Sequence, residues 1–132
     1  MAYMYYNSNP FGKIVGDCVI RAISKAEDMP WLKAYTELAM FGMENGDIPS
    51  SNSLWGKYLR SIGYKVFPLP NDCPDCYTVE QFANEHSKGT YILATGSHVI
   101  PLIDGIFYDT WNSGSEPISY YFERVKNNEL QS

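Results

Sequence analysis

The most constraining feature of this sequence is a pair of alternating apolar runs joined by Asp104-Gly105, in the stretch SHVIPLIDGIFYDTW. Both residues of an Asp-Gly pair adopt positive φ readily, which a tight two-residue hairpin turn requires. The turn fixes the pairing of the two strands, so that Leu102 lies opposite Phe107. The sequence therefore predicts an antiparallel hairpin in the second half of the chain.

This register brings two polar side chains together on one face of the predicted hairpin. Because side chains alternate between faces along a strand, Asp109 becomes the diagonal neighbour of His98, within reach of a medium-length side chain. A carboxylate in that place fixes the imidazole tautomer and stabilises its positive charge. The face as a whole is predicted to carry His98, Ile100, Leu102, Phe107, Asp109 and Trp111.

The hairpin belongs to a chain that changes character near its middle. Helical spacing dominates residues 17 to 63, and short strand-like runs dominate residues 64 to 125. A length of 132 residues corresponds to one domain with a buried core. We therefore expect a single α+β domain over 1–132, with N-terminal helices packed on a C-terminal antiparallel sheet.

Capping and turn residues predict where the individual elements begin and end. The first helix is expected over about 17–26 with Asp17 as N-cap, the second from Pro30, and the third over about 51–61. Thr78 and Gln81 form a capping box before a short fourth helix. The inward residues of the second helix are predicted to be Trp31, Ala34, Tyr35, Leu38, Ala39 and Phe41 or Met43. Strands are predicted in YKVFPLP, an edge candidate because of its prolines, in TYILATG and in ISYYFERV, with residues 1–16 mostly extended or loop.

A cysteine stands in the first turn of the first predicted helix, in VGDCVIRAIS. A helix N-terminus favours a thiolate through its dipole and its unpaired N–H groups. A nucleophilic cysteine also needs a base and a group that orients the base. Cys18, His98 and Asp109 supply these three parts, in that order along the chain.

The segments GDCVIRAIS, GSHVIPLIDG and DTWNSG together resemble the papain-like cysteine peptidases, and the chain is similar to small bacterial or phage members that trim leader peptides. The resemblance implies a papain-like fold, with Cys18 opening a central helix and His98 on the first strand of a later hairpin. It also implies that Asp109 orients His98, since Asp109-Thr110-Trp111 is similar to the family's Asn-Ser-Trp segment. Asn112 is the alternative orienting residue.

The same resemblance implies an amide side chain before the cysteine that stabilises the oxyanion. The family places a glutamine about six residues earlier, where this chain has Gly12. Asn9, or alternatively Asn7, carries the same amide donor, with the Cys18 backbone N–H as the second donor.

The expected function is a cytoplasmic thiol hydrolase that cleaves a peptide-type amide in a peptide or protein substrate without a cofactor or metal.

Two other functions fit the same residues. A Cys-His-Asp trio also serves acyl transfer and amidase chemistry. A small acidic domain, with net charge −5 and eleven tyrosines, also suits a non-catalytic module that binds or inhibits a protein partner. We expect no nucleic-acid partner, since the basic residues are scattered, and no membrane partner, since no apolar run is long enough to span a bilayer.

The remaining two cysteines form the pair Cys73-Pro-Asp-Cys76. Two free thiols in a loop is the favoured interpretation. The alternatives are a zinc site, for which His86 is the only plausible third ligand, and a redox pair.

Overall fold

A computed structural model describes residues 2–70 and 76–125 of the chain. Within these ranges it forms an α+β fold with four helices and one sheet of six strands. The elements in chain order are β1 (Tyr3–Tyr5), α1 (Cys18–Ala26), α2 (Trp31–Asn45), α3 (Asn52–Ser61), β2 (Tyr64–Pro68), α4 (Val79–Glu85), β3 (Thr90–Ala94), β4 (Val99–Ile103), β5 (Ile106–Asp109) and β6 (Tyr120–Arg124).

The sheet is mixed rather than purely antiparallel, which corrects the sequence-based expectation. Its strand order is β1-β5-β4-β3-β6-β2. Strand β1 lies parallel to β5 at one edge, whereas every other neighbouring pair is antiparallel. The sheet is mixed because three residues near the N-terminus add a short parallel strand at its edge, where Tyr3 pairs with Phe107. The edge position predicted for β2 from its prolines is confirmed.

The central hairpin has the predicted turn and register. Asp104 and Gly105 have φ values of 50° and 82°, as a turn with two left-handed residues requires. Leu102 pairs with Phe107 across the hairpin. The Asp104 carboxylate also accepts a hydrogen bond of 2.9 Å from the Gly89 backbone N–H, which ties the turn to the start of β3.

The helices begin and end close to the predicted residues, with two corrections. The side chain of Asp17 does not cap α1, because it is turned into the protein interior. In α2 the buried residues are Ala34, Leu38 and Gly42, whereas Tyr35 and Met43 are exposed. The capping box of α4 is confirmed.

The sheet carries a hydrophobic cluster on each face. Ile92 and Ala94 of β3 pack in one cluster with α1, α2 and α3, and Leu93 between them packs in the other with α4. Adjacent residues of a strand point to opposite faces, so the sheet separates the two clusters. Helix α1 packs against β4, and this packing brings the N-terminus of α1 to the end of the hairpin where β4 begins and β5 ends.

In the described part of the chain, no helix combines the length and the apolar character that a membrane span needs.

Candidate active site

Cys18 is the first residue of α1 and lines a cleft beside the sheet. The thiol is partly buried and is a free cysteine. Because the Asp17 side chain makes no cap hydrogen bond, the first backbone N–H groups of α1 have no side-chain acceptor at this end. The thiol therefore lies beside a helix N-terminus whose positive partial charge is available to an anion.

His98 is held by the turn that precedes β4. Its backbone carbonyl accepts hydrogen bonds from the Thr95 backbone N–H at 2.9 Å and from the Thr95 hydroxyl at 3.3 Å. The His98 Nε2–H donates to Asp109 Oδ2 at 2.6 Å, since a carboxylate only accepts. That bond leaves Nδ1 as the ring nitrogen available to Cys18. The Trp111 ring packs beside the imidazole, with centroids 5.5 Å apart.

Asp109 is the most buried member of this group, with a relative exposure of 1%. Its Oδ2 also accepts from the Ser113 hydroxyl at 2.7 Å, and its Oδ1 accepts from the Thr110 backbone N–H at 2.8 Å. Arg21 Nη2 lies 3.4 Å from the same Oδ1. Every neighbour of this carboxylate is thus a donor, which favours its charged form.

The pKa values of the three groups shift in directions that favour a thiolate–imidazolium pair. Burial by itself would raise the pKa of the Cys18 thiol, but hydrogen bonds from His98 and from the Val99 backbone N–H outweigh it and lower that pKa. Burial by itself would lower the pKa of His98, but hydrogen bonds to Asp109 and Cys18 raise it to about 9. The pKa of Asp109 is lowered, because hydrogen bonds from His98 and Ser113 outweigh the effect of burial.

A second set of charges lies behind the first, and the sequence patterns did not predict it. Arg21 and Asp17 are both buried, with relative exposures of 5% and 4%, and they form an ion pair one helical turn apart. Asp17 Oδ2 also accepts a hydrogen bond of 2.8 Å from the Trp31 indole N–H. The four-residue spacing of Asp17 and Arg21 was the available signal, but on an isolated helix it is equally typical of a solvated surface pair.

The cleft has a volume of about 420 Å³, within the size range of ligand pockets. Cys18 and His98 line it together with apolar side chains of α2, α3 and β6, which are Leu38, Trp55 and Tyr120. The loop between β3 and β4 contributes Thr95, Gly96 and Ser97. The cleft therefore has Cys18 and His98 in its wall and carries both apolar and polar side chains around them.

The structure brings together Cys18, His98 and Asp109 and does not bring Asn9 to them. Asn9 Oδ1 accepts from the Phe11 backbone N–H at 2.8 Å and so closes a turn in the N-terminal loop. Asn7 Nδ2 donates to the Lys13 carbonyl at 3.2 Å. Neither side chain lines the cleft.

The alternative orienting residue is also placed away from His98. Asn112 Oδ1 accepts from the Gly114 backbone N–H at 3.0 Å, and the residue is exposed. Gly12 adopts a left-handed conformation in the exposed loop before α1, with a φ of 66°.

For the second cysteine pair, Cys73 lies outside the described residues, and Cys76 is disulfide-bonded, so the prediction of a free thiol is wrong for Cys76. His86 follows the last residue of α4 and packs against that helix. Its Nδ1 lies 2.8 Å from the Phe82 carbonyl, and its ring stacks on Phe82. Across residues 2–70 and 76–125, no group of three or more His, Cys, Asp or Glu side chains is arranged to hold a metal.

Comparisons with family models, with curated proteins and with solved structures found no match to this chain.

Proposed function

We propose that the protein is a thiol hydrolase, a cysteine peptidase or isopeptidase with a papain-like arrangement, that cleaves a peptide-type amide. One observation carries the proposal: His98 links the Cys18 thiol to the buried Asp109 carboxylate at the wall of an open cleft. A nucleophile, a base and an orienting group in hydrogen-bonding order are the parts that covalent acyl chemistry needs. The lowered pKa of Cys18 and the raised pKa of His98 support this assignment of roles.

In the proposed reaction the Cys18 thiolate attacks the carbonyl carbon of the substrate amide. The C–N bond breaks as the His98 imidazolium gives its proton to the leaving amine, and a thioester on Cys18 remains. Water then gives a proton to the neutral His98 imidazole and attacks the thioester carbon. The carboxylic acid product leaves, and the Cys18 thiolate and the His98 imidazolium are restored.

The oxyanion of the tetrahedral intermediate would be bound at the N-terminus of α1. The backbone N–H of Cys18 and those of the next residues have no carbonyl acceptor within the helix, and Asp17 leaves them uncapped. Backbone donors fixed in this way stabilise developing negative charge without reorganisation. This replaces the amide of Asn9 or Asn7, whose side chains lie outside the cleft.

The first test is the reactivity of Cys18 toward iodoacetamide between pH 5 and 9, read by intact and peptide mass. We expect a single rapid label on Cys18 at pH 6, where an ordinary thiol with a pKa near 8.5 is almost entirely protonated. His98→Ala should slow this labelling by at least about tenfold. His86→Gln, which changes the only other histidine, is the matched control and should keep the wild-type rate.

The second test identifies the reaction. Incubation with a diverse peptide mixture should yield new cleavage products by mass spectrometry that are absent with Cys18→Ser. Added hydroxylamine that captures the acyl group in preference to water would assign acyl transfer instead of hydrolysis. A thiol with ordinary reactivity, together with no turnover of any peptide, would refute the catalytic proposal and favour the non-catalytic binding module.

A further inference from the structure

A buried row of alternating charges runs from α2 to the Cys18 thiol. It begins at the Trp31 indole, which donates to Asp17, and continues through the Asp17–Arg21 ion pair. Arg21 then reaches Asp109, and Asp109 accepts from His98. From Asp17 onward positive and negative groups alternate, so each buried charge has an opposite neighbour, and the neutral Trp31 indole donates to the first of them.

Arg21 is the member of this row that joins its two halves. Its two terminal nitrogens contact different carboxylates, Nη1 that of Asp17 and Nη2 that of Asp109. The planar fork of a guanidinium can hold two carboxylates at fixed directions, which a lysine ammonium does less well. The Arg21 contact is on Oδ1 of Asp109, whereas His98 donates to Oδ2, so the two do not compete for one oxygen.

Packing alone does not account for an arginine at this place. The neighbouring buried residues of α1, Ala22 and Ile23, already fill the core contact of the helix. Burying a guanidinium is costly unless it is paired on both sides, as Arg21 is here. The guanidinium charge therefore acts on the two carboxylates that it contacts, those of Asp17 and Asp109.

We propose that Arg21 is a positioning residue, which fixes the Asp109 carboxylate against His98 by anchoring it to Asp17 at the start of α1 and, through Asp17, to Trp31 at the start of α2. The inference rests on the proposed thiol chemistry of Cys18 and deepens it. Arg21 acts through Asp109 and does not touch the substrate.

The charged and titratable groups around Arg21 determine the direction of the expected effect. Asp17 at the N-cap of α1 and Asp109 on β5 pair with Arg21, and the Arg21 charge also acts on Cys18 at the start of α1. His98 before β4 and the Tyr3 hydroxyl of β1 contact Asp109. Loss of the guanidinium removes a cation near the thiolate, so the pKa of Cys18 rises. It also removes a cation that partly neutralises the Asp109 carboxylate. The carboxylate then attracts the His98 imidazolium more strongly, so the pKa of His98 rises. The whole pH range of the thiolate–imidazolium pair therefore moves upward.

The experiment is the pH profile of Cys18 alkylation by iodoacetamide in the full chain. For Arg21→Met we expect the midpoint to rise by up to about one pH unit, since the Arg21 charge is the smallest of the influences that lower the pKa of Cys18. Arg21→Lys should recover only part of the shift, because it restores the charge but not the fork that contacts both carboxylates. Lys25→Met removes a cation one turn further along α1, where Lys25 lies over the Tyr108 ring, and should leave the midpoint unchanged.

A second variant keeps the test decisive if Arg21→Met does not fold. The double variant Asp17→Asn/Arg21→Met removes both charges of the ion pair, so that no Asp17 carboxylate is left unpaired. Its reference is Asp17→Asn, which removes the same carboxylate charge near the thiol, so a folded double variant with the midpoint of Asp17→Asn would overturn the proposal, as would a wild-type profile in Arg21→Met. An ordinary thiol midpoint in the unchanged chain would instead refute the proposed function itself, so the two failures are distinguishable.

Discussion

Asp109→Asn tests the candidate site most sharply, because this carboxylate accepts hydrogen bonds at both oxygens. Oδ2 accepts from His98 at 2.6 Å and from Ser113 at 2.7 Å. Oδ1 accepts from the Thr110 backbone N–H at 2.8 Å and faces Arg21 at 3.4 Å. An asparagine has one oxygen and one NH₂ group, so in either orientation its NH₂ meets two donors.

The structure gives the size of the effect. Two buried donors lose their acceptor, at about 1–3 kcal/mol each, so the free energy of unfolding should fall by roughly 2–6 kcal/mol. The negative charge that faces His98 is lost as well, so the pKa of His98 should fall from about 9 toward its ordinary 6.5. That change corresponds to about 3 kcal/mol of interaction with the imidazolium, as an upper value because Cys18 contributes part of it.

The sign of the pH dependence follows from the raised pKa of His98. Below pH 6.5 the imidazole is protonated in both proteins, and between pH 6.5 and about 9 only the unchanged chain keeps the imidazolium. Without it the pKa of Cys18 rises and the thiolate fraction falls. At pH 7.5 alkylation of Cys18 in Asp109→Asn should be slower by at least about tenfold, and the two rates should converge near pH 10.

The same variant should change the pH dependence of stability. A histidine whose pKa is higher in the folded state stabilises the fold fully below pH 6.5, and this contribution is lost as pH rises through about 9. The lowered pKa of Cys18 acts in the opposite sense, because a thiolate favoured by the fold adds stability as pH rises. The comparison is therefore made in Cys18→Ser, where urea unfolding between pH 6 and 9 should show a smaller decline with Asp109→Asn than with Asp109 unchanged.

Asp28→Asn is the matched control, since it removes the same charge from an exposed residue with a φ of 52°, which asparagine tolerates. It should keep the alkylation rate and the stability of the unchanged chain. If Asp109→Asn also kept both, the carboxylate would not orient or charge His98, and the reasoning about the site would be wrong.

Three further predictions concern the surroundings of the site and the fold. Trp111→Ala removes the ring beside His98. Water then reaches the hydrogen bond between His98 and Asp109, so peptide turnover should fall by about tenfold with little loss of stability. Unchanged turnover would show that the ring does not shield this hydrogen bond. Thr78→Ala removes the α4 cap and should lower the free energy of unfolding by about 1 kcal/mol in urea, whereas no change would show that the cap is dispensable. Gly105→Ala should lower the free energy of unfolding by about 1 kcal/mol or more, because the φ of Gly105 is 82°. Gly16→Ala is the control and should be neutral, because the space around Gly16 is open. Equal urea midpoints for the two variants would contradict the turn assignment.

The sequence by itself determined the features that depend on local physics. Asp104-Gly105 forms a tight turn through the backbone preference of its two residues for positive φ, and this turn sets the hairpin register that places Asp109 beside His98. The α4 capping box and the start of α1 at Cys18 are likewise encoded within a few residues. Helical and strand periodicities were sufficient for the α+β class.

Only the tertiary structure decided features that depend on contacts between distant segments. Strand β1 joins the sheet beside β5 because an edge was free there, and three residues carry no periodic signal of their own. Asp17 has the local character of an N-cap, but Arg21 and Trp31 bind its carboxylate in the interior, and that competition is invisible in a linear pattern. The amide of Asn9 was near Cys18 in sequence, yet the loop turns it away. Burial decides which partner a polar side chain takes, and burial is set by the packing of the whole chain.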